Sequence, residues 1–105
     1  MGDDLQITLP TLRVLRVLFD DLEGEHYGLH LSRATGLKSG TLYPILARLE
    51  RHGLVCSEWE MIDTKAAGRP ARRLYRLTGL GIRRTEQELR QLQELHSSPR
   101  LAGVR

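Results

Sequence analysis

The apolar pattern of this chain changes its period at Gly53, and that change constrains the fold more than any other feature. Before Gly53, apolar residues recur three and four positions apart, as they do in amphipathic helices. After it, the segment LVCSEWEMI is rich in β-branched and large side chains that roughly alternate, as in a strand. A second such run, RLYRLT, follows the Gly- and Pro-containing loop DTKAAGRPA. The chain is therefore predicted to be mainly α with a small β-hairpin, an α+β fold.

Three helices are predicted before the hairpin. The first begins at Pro10, where the missing N–H of proline costs nothing and Thr8 can cap the helix. It carries two apolar stripes, so it needs two partners: the core of its own domain and a second surface. The first stripe holds Leu12, Leu15, Phe19 and Leu22, and the second holds Val14, Val17 and Leu18.

The second helix is predicted at about residues 29–35. It is expected to turn Leu29 and Ala34 toward the interior and to end at Gly36, with Leu37 as a buried residue of the following turn.

The third helix is predicted at about residues 39–52, with Ser39 as its N-cap and Gly53 as its stop. One side of it is cleanly apolar and is assigned to the core. This core face contains Leu42, Ile45, Leu46 and Leu49.

A fourth helix is predicted from Thr78, its cap, to about His96. Its stripe of Ile82, Thr85, Leu89, Leu92 and His96, widened by Leu95, is longer than a small domain can cover. A domain of 105 residues often gains stability by oligomerising. We therefore expect a homodimer formed through the surplus stripes of the first and fourth helices. The expected dimerisation residues are Leu12, Val14, Val17, Leu18, Ile82, Leu89, Leu92 and Leu95.

The charge of the chain is unevenly distributed around its modest net value of +3. Residues 1–25 carry six carboxylates against two arginines, whereas residues 65–76 carry five basic side chains and no acid. A local basic block of this kind is typical of phosphate binding. It lies in the loop of the predicted hairpin and its second strand.

The order of these elements is that of a winged helix-turn-helix, in which one helix enters the major groove and the hairpin lies along phosphates or the minor groove. The predicted division is an N-terminal arm (1–9), a winged helix-turn-helix domain (10–77), a dimerisation helix (78–96) and a tail (97–105). Double-stranded DNA is the expected partner, with helix 39–52 in the major groove and the 63–73 wing near the minor groove. The expected DNA contacts are Lys38, Ser39, Gly40, Thr41, Tyr43, Arg48, Lys65, Arg69, Arg72 and Arg73.

The runs GTLYPILARLERHGLV, SEW and GRPARRLYRLT, in this order, resemble the PadR family of transcriptional regulators. The resemblance covers about residues 10–90. It implies a dimeric winged-helix protein, usually a repressor, that many members release from DNA when a small effector binds. The single C-terminal helix resembles the short subfamily, in which that helix packs against the first helix and the partner subunit. By position, the resemblance implies DNA contacts by Ser39, Thr41, Tyr43 and Arg69.

Two departures from the family pattern stand out. Few lysines occur in the wing, so its grip on DNA would rely on arginine. The opening of the chain carries Asp3 and Asp4 in place of the basic residues that would help an N-terminal arm to touch DNA.

Other function classes find little support in the sequence. There is no Gly-rich phosphate loop and no motif that pairs a nucleophile with a base, so we expect neither an enzyme nor a cofactor. His26 and His30 stand four apart, but no further ligand set completes a metal site. A single cysteine, Cys56, and the lack of an apolar run of roughly 20 residues predict a cytoplasmic protein with no membrane span.

Three questions remain open from the sequence. The main alternative function is a winged helix that binds an acidic protein partner instead of DNA. Tyr43 is interpreted as a DNA contact or as half of a core pair with a wing residue. Trp59 either lines an effector pocket at the dimer interface or packs on the third helix. Tyr75 is expected in the core or in a strand pair.

Overall fold

A computed structural model describes the backbone of residues 5–97 and the side chains of residues 5–95. Five helices and a three-stranded antiparallel sheet follow one another along these residues. The helices are α1 (Leu9–Asp20), α2 (Gly28–Thr35), α3 (Ser39–Arg51), α4 (Thr64–Ala67) and α5 (Gly79–Ser97), and the strands are β1 (His26–Tyr27), β2 (Val55–Trp59) and β3 (Arg73–Leu77). The predicted α+β class is confirmed.

The local signals at the helix ends are mostly confirmed. Thr8 caps α1, because its side-chain oxygen accepts a hydrogen bond from the N–H of Thr11. Gly36 and Gly53 have φ values of 78° and 77°, the left-handed conformation that ends α2 and α3. The prediction of Ser39 as N-cap is wrong: Lys38 holds that position, and no side chain caps α3.

The sheet has a strand that the sequence did not predict. No helix or strand was predicted at His26 and Tyr27, yet these two residues form β1 and pair with β3. The sheet order is therefore β1-β3-β2, with β3 in the centre. A strand of two residues is too short to show alternating apolar and polar side chains, so β1 is recognised only by its pairing with β3. The pairing sets the start of α2 beside β3.

The core face of α1 differs from the predicted one. Val14 and Leu18 are fully buried in the core of the protomer, so they cannot belong to a second surface stripe. From the first stripe Leu15 is fully buried, whereas Leu12, an expected dimerisation residue, and Phe19 are half-buried and Leu22 is exposed. The core therefore takes Leu15 from one stripe and Val14 and Leu18 from the other, and the composition of two apolar stripes could not show this division.

The phase of α2 was also predicted incorrectly. Leu29 is 54% exposed and Ala34 is exposed, whereas Leu31 and Thr35 are buried. The hydroxyl of Thr35 donates to the carbonyl oxygen of Leu31 at 2.6 Å, which satisfies its polar group inside the protein. Leu37 is half-buried and packs on the core.

The predicted core face of α3 is confirmed. Leu42, Leu46 and Leu49 are fully buried, and Ile45 is half-buried against them.

The described part of the N-terminal arm packs on the domain. Leu5 is a core residue, and its carbonyl oxygen accepts a hydrogen bond from the Arg84 guanidinium on α5 at 3.0 Å. The remainder of the arm (1–4), the side chain of His96 and the tail from residue 98 lie outside the described residues.

The start of α5 is fixed against the end of α3. The Thr78 hydroxyl oxygen accepts from the N–H of Gly81 at 3.0 Å, which confirms the predicted cap. The same hydroxyl donates to the carbonyl oxygen of Gly53 at 2.6 Å. Gly81 packs so closely that an added Cβ would overlap the backbone carbonyl of Leu54. This junction sets the direction in which α5 leaves the sheet.

We predict that Gly81→Ala destabilises the protein by about 1–3 kcal/mol, because the Leu54 carbonyl is backbone and cannot turn aside. In a helix the same change normally stabilises by up to about 1 kcal/mol. Gly79→Ala is the matched control, since the nearest atom to its Cβ would be a nitrogen of Arg83 at 3.7 Å. Urea unfolding at one protein concentration measures both. Equal stability of the two variants would contradict the close packing at Gly81.

Candidate nucleic-acid interface

One face of α3 is turned to solvent along its whole length. The opposite side of α3 packs in the core. Every residue at the start and middle of α3 that was predicted to contact DNA is exposed. The first turn carries small side chains, which let another backbone approach closely. No side chain caps this helix, so its first amide groups are available to an oxyanion. The exposed residues are Lys38, Ser39, Gly40, Thr41, Tyr43 and Arg48.

Tyr43 is a surface residue that leans on the start of α2. It is 47% exposed, so it is not half of a core pair. An added Cβ at Gly28 would overlap the Tyr43 hydroxyl oxygen. Gly28 therefore provides the space in which the Tyr43 ring lies.

Residues 60–72, the wing loop, join β2 to β3 and contain the short helix α4. The Asp63 carboxylate begins α4 by accepting from the N–H groups of Lys65 and Ala66 at 3.0 and 3.3 Å. Gly68, with φ of 71°, ends it. The sequence predicted an irregular loop here, because one helical turn is too short to show a period. Lys65 is exposed on this turn.

A partly buried ion pair shapes the wing loop. The two carboxylate oxygens of Glu60 accept from two guanidinium nitrogens of Arg69 at 2.7 and 3.0 Å. The first of these oxygens also accepts from the N–H of Arg72 at 3.1 Å. Arg69, one of the expected DNA contacts, has its charge paired inside the loop, and its side chain is 31% exposed.

The pKa values of both partners show the strength of this pairing. The hydrogen bonds from Arg69 lower the pKa of Glu60 from 4.5 to about 2, against the opposing effect of burial, and the N–H of Arg72 contributes. The same contact with Glu60 raises the pKa of Arg69. Nine residues separate the two partners, and the sequence held no signal that would pair them.

Two further arginines of the wing lie on aromatic rings. The guanidinium carbon of Arg72 is 4.0 Å from the ring centre of Tyr27, and that of Arg73 is 5.2 Å from the ring centre of Trp59. Trp59 is 60% exposed, so it is not buried against α3, and its place in an effector pocket at a dimer interface stays a prediction. Tyr75 is buried, as expected.

These side chains enclose a cleft between α3 and the wing, here called the α3–wing cleft. Its volume is about 390 Å³. It brings the exposed face of α3 next to the arginines of β3 and the wing loop. The lining residues are Tyr27, Gly28, Leu29, Tyr43, Trp59, Ala71, Arg72, Arg73 and Tyr75.

A second surface, the α1–α5 face, is apolar. On α5 the predicted stripe divides: Ile82 and Thr85 pack toward the core, Leu89 is half-buried, and Leu92 and Leu95 are 43% and 59% exposed. On α1 the matching exposed or half-buried residues are Leu9, Leu12 and Val17. They line a recess of about 400 Å³ together with Leu89 and Leu92.

The other candidates from the sequence are resolved briefly. A ring nitrogen of His26 lies 2.7 Å from the carbonyl oxygen of Asp21, and within the described part of the chain no cluster of metal-ligand side chains forms. Cys56 is half-buried on β2 beside Arg76. Among the described helices, none is both long and apolar enough to cross a membrane.

The arrangement of α2, α3, β2 and β3 around a basic wing loop defines a winged helix-turn-helix protein. The chain belongs to the PadR-like family of transcriptional regulators, whose family model matches residues 14–87. It is 35% identical over 86 residues to transcriptional regulator Rv3488 of Mycobacterium tuberculosis, covering 77% of this chain and 76% of that one.

Solved structures share the fold. A point mutant of MepR from Staphylococcus aureus superposes with a TM-score of 0.77 at 20% identity, over 94% of this chain and 67% of that one. The MepR–DNA complex gives 0.70 at 20% identity, over 91% and 73%. TM0937, described as a potential transcriptional factor, gives 0.70 at 20% identity, over 98% and 91%. At these identities the likeness shows the fold alone.

We predict that Glu60 makes the stability of the protein depend on pH in the acid range. Its pKa is lower in the folded state, so the stabilising pair is complete above about pH 4.5 and is lost as the pH falls toward about 2. The difference in free energy of unfolding between the wild type and Glu60→Gln, from urea titrations at several pH values, should shrink over that window. In an Arg69→Gln background this difference in free energy of unfolding should depend much less on pH, because Arg69 is the main cause of the lowered pKa of Glu60. A pH-independent difference in the wild-type background would contradict the pair.

Proposed function

We propose that this protein binds double-stranded DNA in a sequence-specific manner, as a dimer, and represses transcription from the promoters it covers. The observation that carries the proposal is that Tyr43, on the exposed face of α3, borders the same cleft as Arg72 and Arg73. In this arrangement α3 enters the major groove and the 63–73 wing lies near the minor groove. The family is one of transcriptional regulators, which supports the same role. Its place of action is the cytoplasm, where it meets the DNA.

The start of α3 is proposed to approach the DNA backbone most closely. Ser39 and Thr41 can donate from their hydroxyls to phosphate oxygens, and Gly40 has no side chain to hold the backbone away. Lys38 adds a positive charge at the same end. Further along, Tyr43 and Arg48 are the side chains long enough to reach base edges.

On the wing, the charges available to DNA are those not used inside the protein. Lys65 is exposed, and Arg72 and Arg73 rest on rings with their guanidinium groups at the cleft. Arg69 is proposed to act indirectly, since its pair with Glu60 holds the loop in shape.

Dimerisation is proposed to occur through the α1–α5 face. A soluble monomer seldom exposes leucines in one continuous stripe, and a second copy of α5 would cover them. Val14 and Leu18 are absent from this proposal because the core of the protomer encloses them. A small-molecule effector would act by entering the recess between α1 and α5, where it would change how two protomers pack and so the spacing of their α3 helices. The proposed interface residues are Leu9, Leu12, Val17, Leu89, Leu92 and Leu95.

We predict that two substitutions on α3 weaken DNA binding in different ways. Arg48→Ala should cost about 1–3 kcal/mol of binding free energy and flatten the salt dependence, because it removes a positive charge from the interface. Gly40→Ala should weaken binding without changing the salt slope, because its added methyl group meets no protein atom within 4 Å and obstructs only the DNA. Fluorescence anisotropy with duplex DNA from upstream of the protein's own gene, at two salt concentrations, measures both effects.

Arg83→Ala is the charge-matched control for this series, because Arg83 is exposed on α5 at the end of β3 away from the wing loop. An equal loss in Arg83→Ala would contradict the assigned interface. Failure to bind either this fragment or any duplex in a randomised pool would overturn the DNA proposal and favour an acidic protein partner.

We predict that the double variant Leu92→Glu/Leu95→Glu is monomeric, because four carboxylates cannot be buried together in one apolar interface. Sedimentation equilibrium should give the mass of two chains for the wild type and of one for the variant. Met61→Glu is the control, since Met61 is 96% exposed on the wing loop and should leave the dimer intact. A wild type with the mass of one chain at micromolar concentration would exclude the proposed dimer.

A further inference from the structure

The α3–wing cleft exposes aromatic rings to solvent, where they add little to the stability of the domain. Tyr43 is 47% exposed and Trp59 is 60% exposed, while Tyr27 is half-buried between them and the wing loop. Large rings contribute to stability by burial, so rings left in solvent at a cleft indicate a surface that a partner covers. The cleft volume of about 390 Å³ is in the range of sites that hold a ligand the size of one nucleotide.

Two guanidinium groups are held in this cleft before any ligand arrives. Arg72 lies over Tyr27 and Arg73 over Trp59, and stacking on a ring leaves the edge of each guanidinium open to an anion. One donor of Arg73 also bonds to the Tyr75 hydroxyl. Glu50 is 3.9 Å from Arg73 but also accepts a hydrogen bond from the Ser57 hydroxyl at 2.7 Å, so its charge is shared. Among the residues that line the cleft there is no carboxylate.

The far wall of the cleft belongs to α3 itself. Tyr43 is the residue of α3 that forms this wall. Its ring lies against the start of α2, in the space that Gly28 leaves by having no side chain. The cleft is therefore continuous with the exposed face of α3 that we propose to enter the major groove.

We infer that the α3–wing cleft holds the sugar–phosphate backbone of one DNA strand, with a phosphate bound by Arg72 and Arg73 and the neighbouring deoxyriboses packed on Trp59 and Tyr43. The inference rests on the proposed function and deepens it. A DNA strand alternates anionic phosphates with largely apolar sugars, and the cleft presents guanidinium groups beside ring faces in the same way. Trp59 is then a DNA-contacting residue. The rings of Tyr27 and Trp59 hold Arg72 and Arg73 in the positions from which they donate hydrogen bonds to the phosphate.

Trp59 is the only tryptophan of the chain, so its own fluorescence tests the inference on the full-length protein. Titration with the upstream duplex should change Trp59 emission and reduce its quenching by acrylamide, with the same midpoint as the anisotropy of labelled DNA. Trp59→Ala should weaken DNA binding by about fivefold or more through loss of the stacking support, and Trp59→Phe should retain most of the affinity.

Three comparisons distinguish this contact from a structural role. The urea midpoint of Trp59→Ala should match that of the wild type, because the ring is mostly exposed. Met61→Ala, a matched change of an exposed apolar residue outside the cleft lining, should bind DNA like the wild type. Hydroxyl-radical footprinting should show that Trp59→Ala loses protection at one backbone position per half-site while the rest of the footprint remains.

The results that would overturn the cleft assignment differ from the result that would overturn the proposed function. DNA binding with no change in Trp59 emission or acrylamide quenching would overturn the cleft assignment and leave the proposed function standing. Equal losses in Trp59→Ala and Met61→Ala would also overturn it. Absence of DNA binding in the wild type would overturn the proposed function itself.

Discussion

β3 is hydrogen-bonded along both edges, to β1 on one side and to β2 on the other, and the position of the candidate site depends on this double pairing. β1 leads directly into α2, so its pairing sets the first turn of α2 beside the wing. β2 follows α3 by one tight turn, so its pairing brings the exposed face of α3 to the same sheet. The N–H of Thr78, at the end of β3, donates to the Leu54 carbonyl oxygen at 3.0 Å, which starts α5 from the same framework. Antiparallel ladders tolerate little slippage when one face is buried, so these three placements are rigid together.

Within that framework the wing combines fixed and available charges. The basic block of residues 65–76 would repel itself if every member faced the same way. Glu60 reduces that repulsion by pairing with Arg69, and the aromatic rings take up the flat faces of Arg72 and Arg73. Arg72 and Arg73 both line the α3–wing cleft. A wing built in this way presents few but well-positioned cations, which suits recognition of a phosphate path more than a diffuse attraction for acidic surfaces.

The two surfaces of the molecule are built from different elements and serve different proposed tasks. The α1–α5 face carries no residue of the α3–wing cleft, so the two surfaces are separate on the protomer. In a symmetric dimer the packing of α5 sets the distance between two α3 helices, and that distance must match the repeat of the DNA. In the proposed complex only a few side chains of α3 are long enough to reach base edges, so we expect spacing and DNA shape to supply much of the specificity.

The sequence by itself determined the features that depend on short range. Periodicity located the four longer helices and the two long strands, and the residues Thr8, Gly36, Gly53 and Thr78 marked their ends, because capping and left-handed turns are local chemistry. The exposed face of α3 followed from the same period. Tertiary structure alone decided which apolar residues of α1 became the core, since Val14 and Leu12 are equally suited to burial and only the packing partner distinguishes them. It also decided the strand β1, which exists because β3 pairs with it, and the fate of Arg69, whose partner Glu60 becomes a neighbour only when the hairpin closes. Contacts between residues distant in the chain are set by the geometry of the assembled fold, and no local pattern in the sequence encodes them.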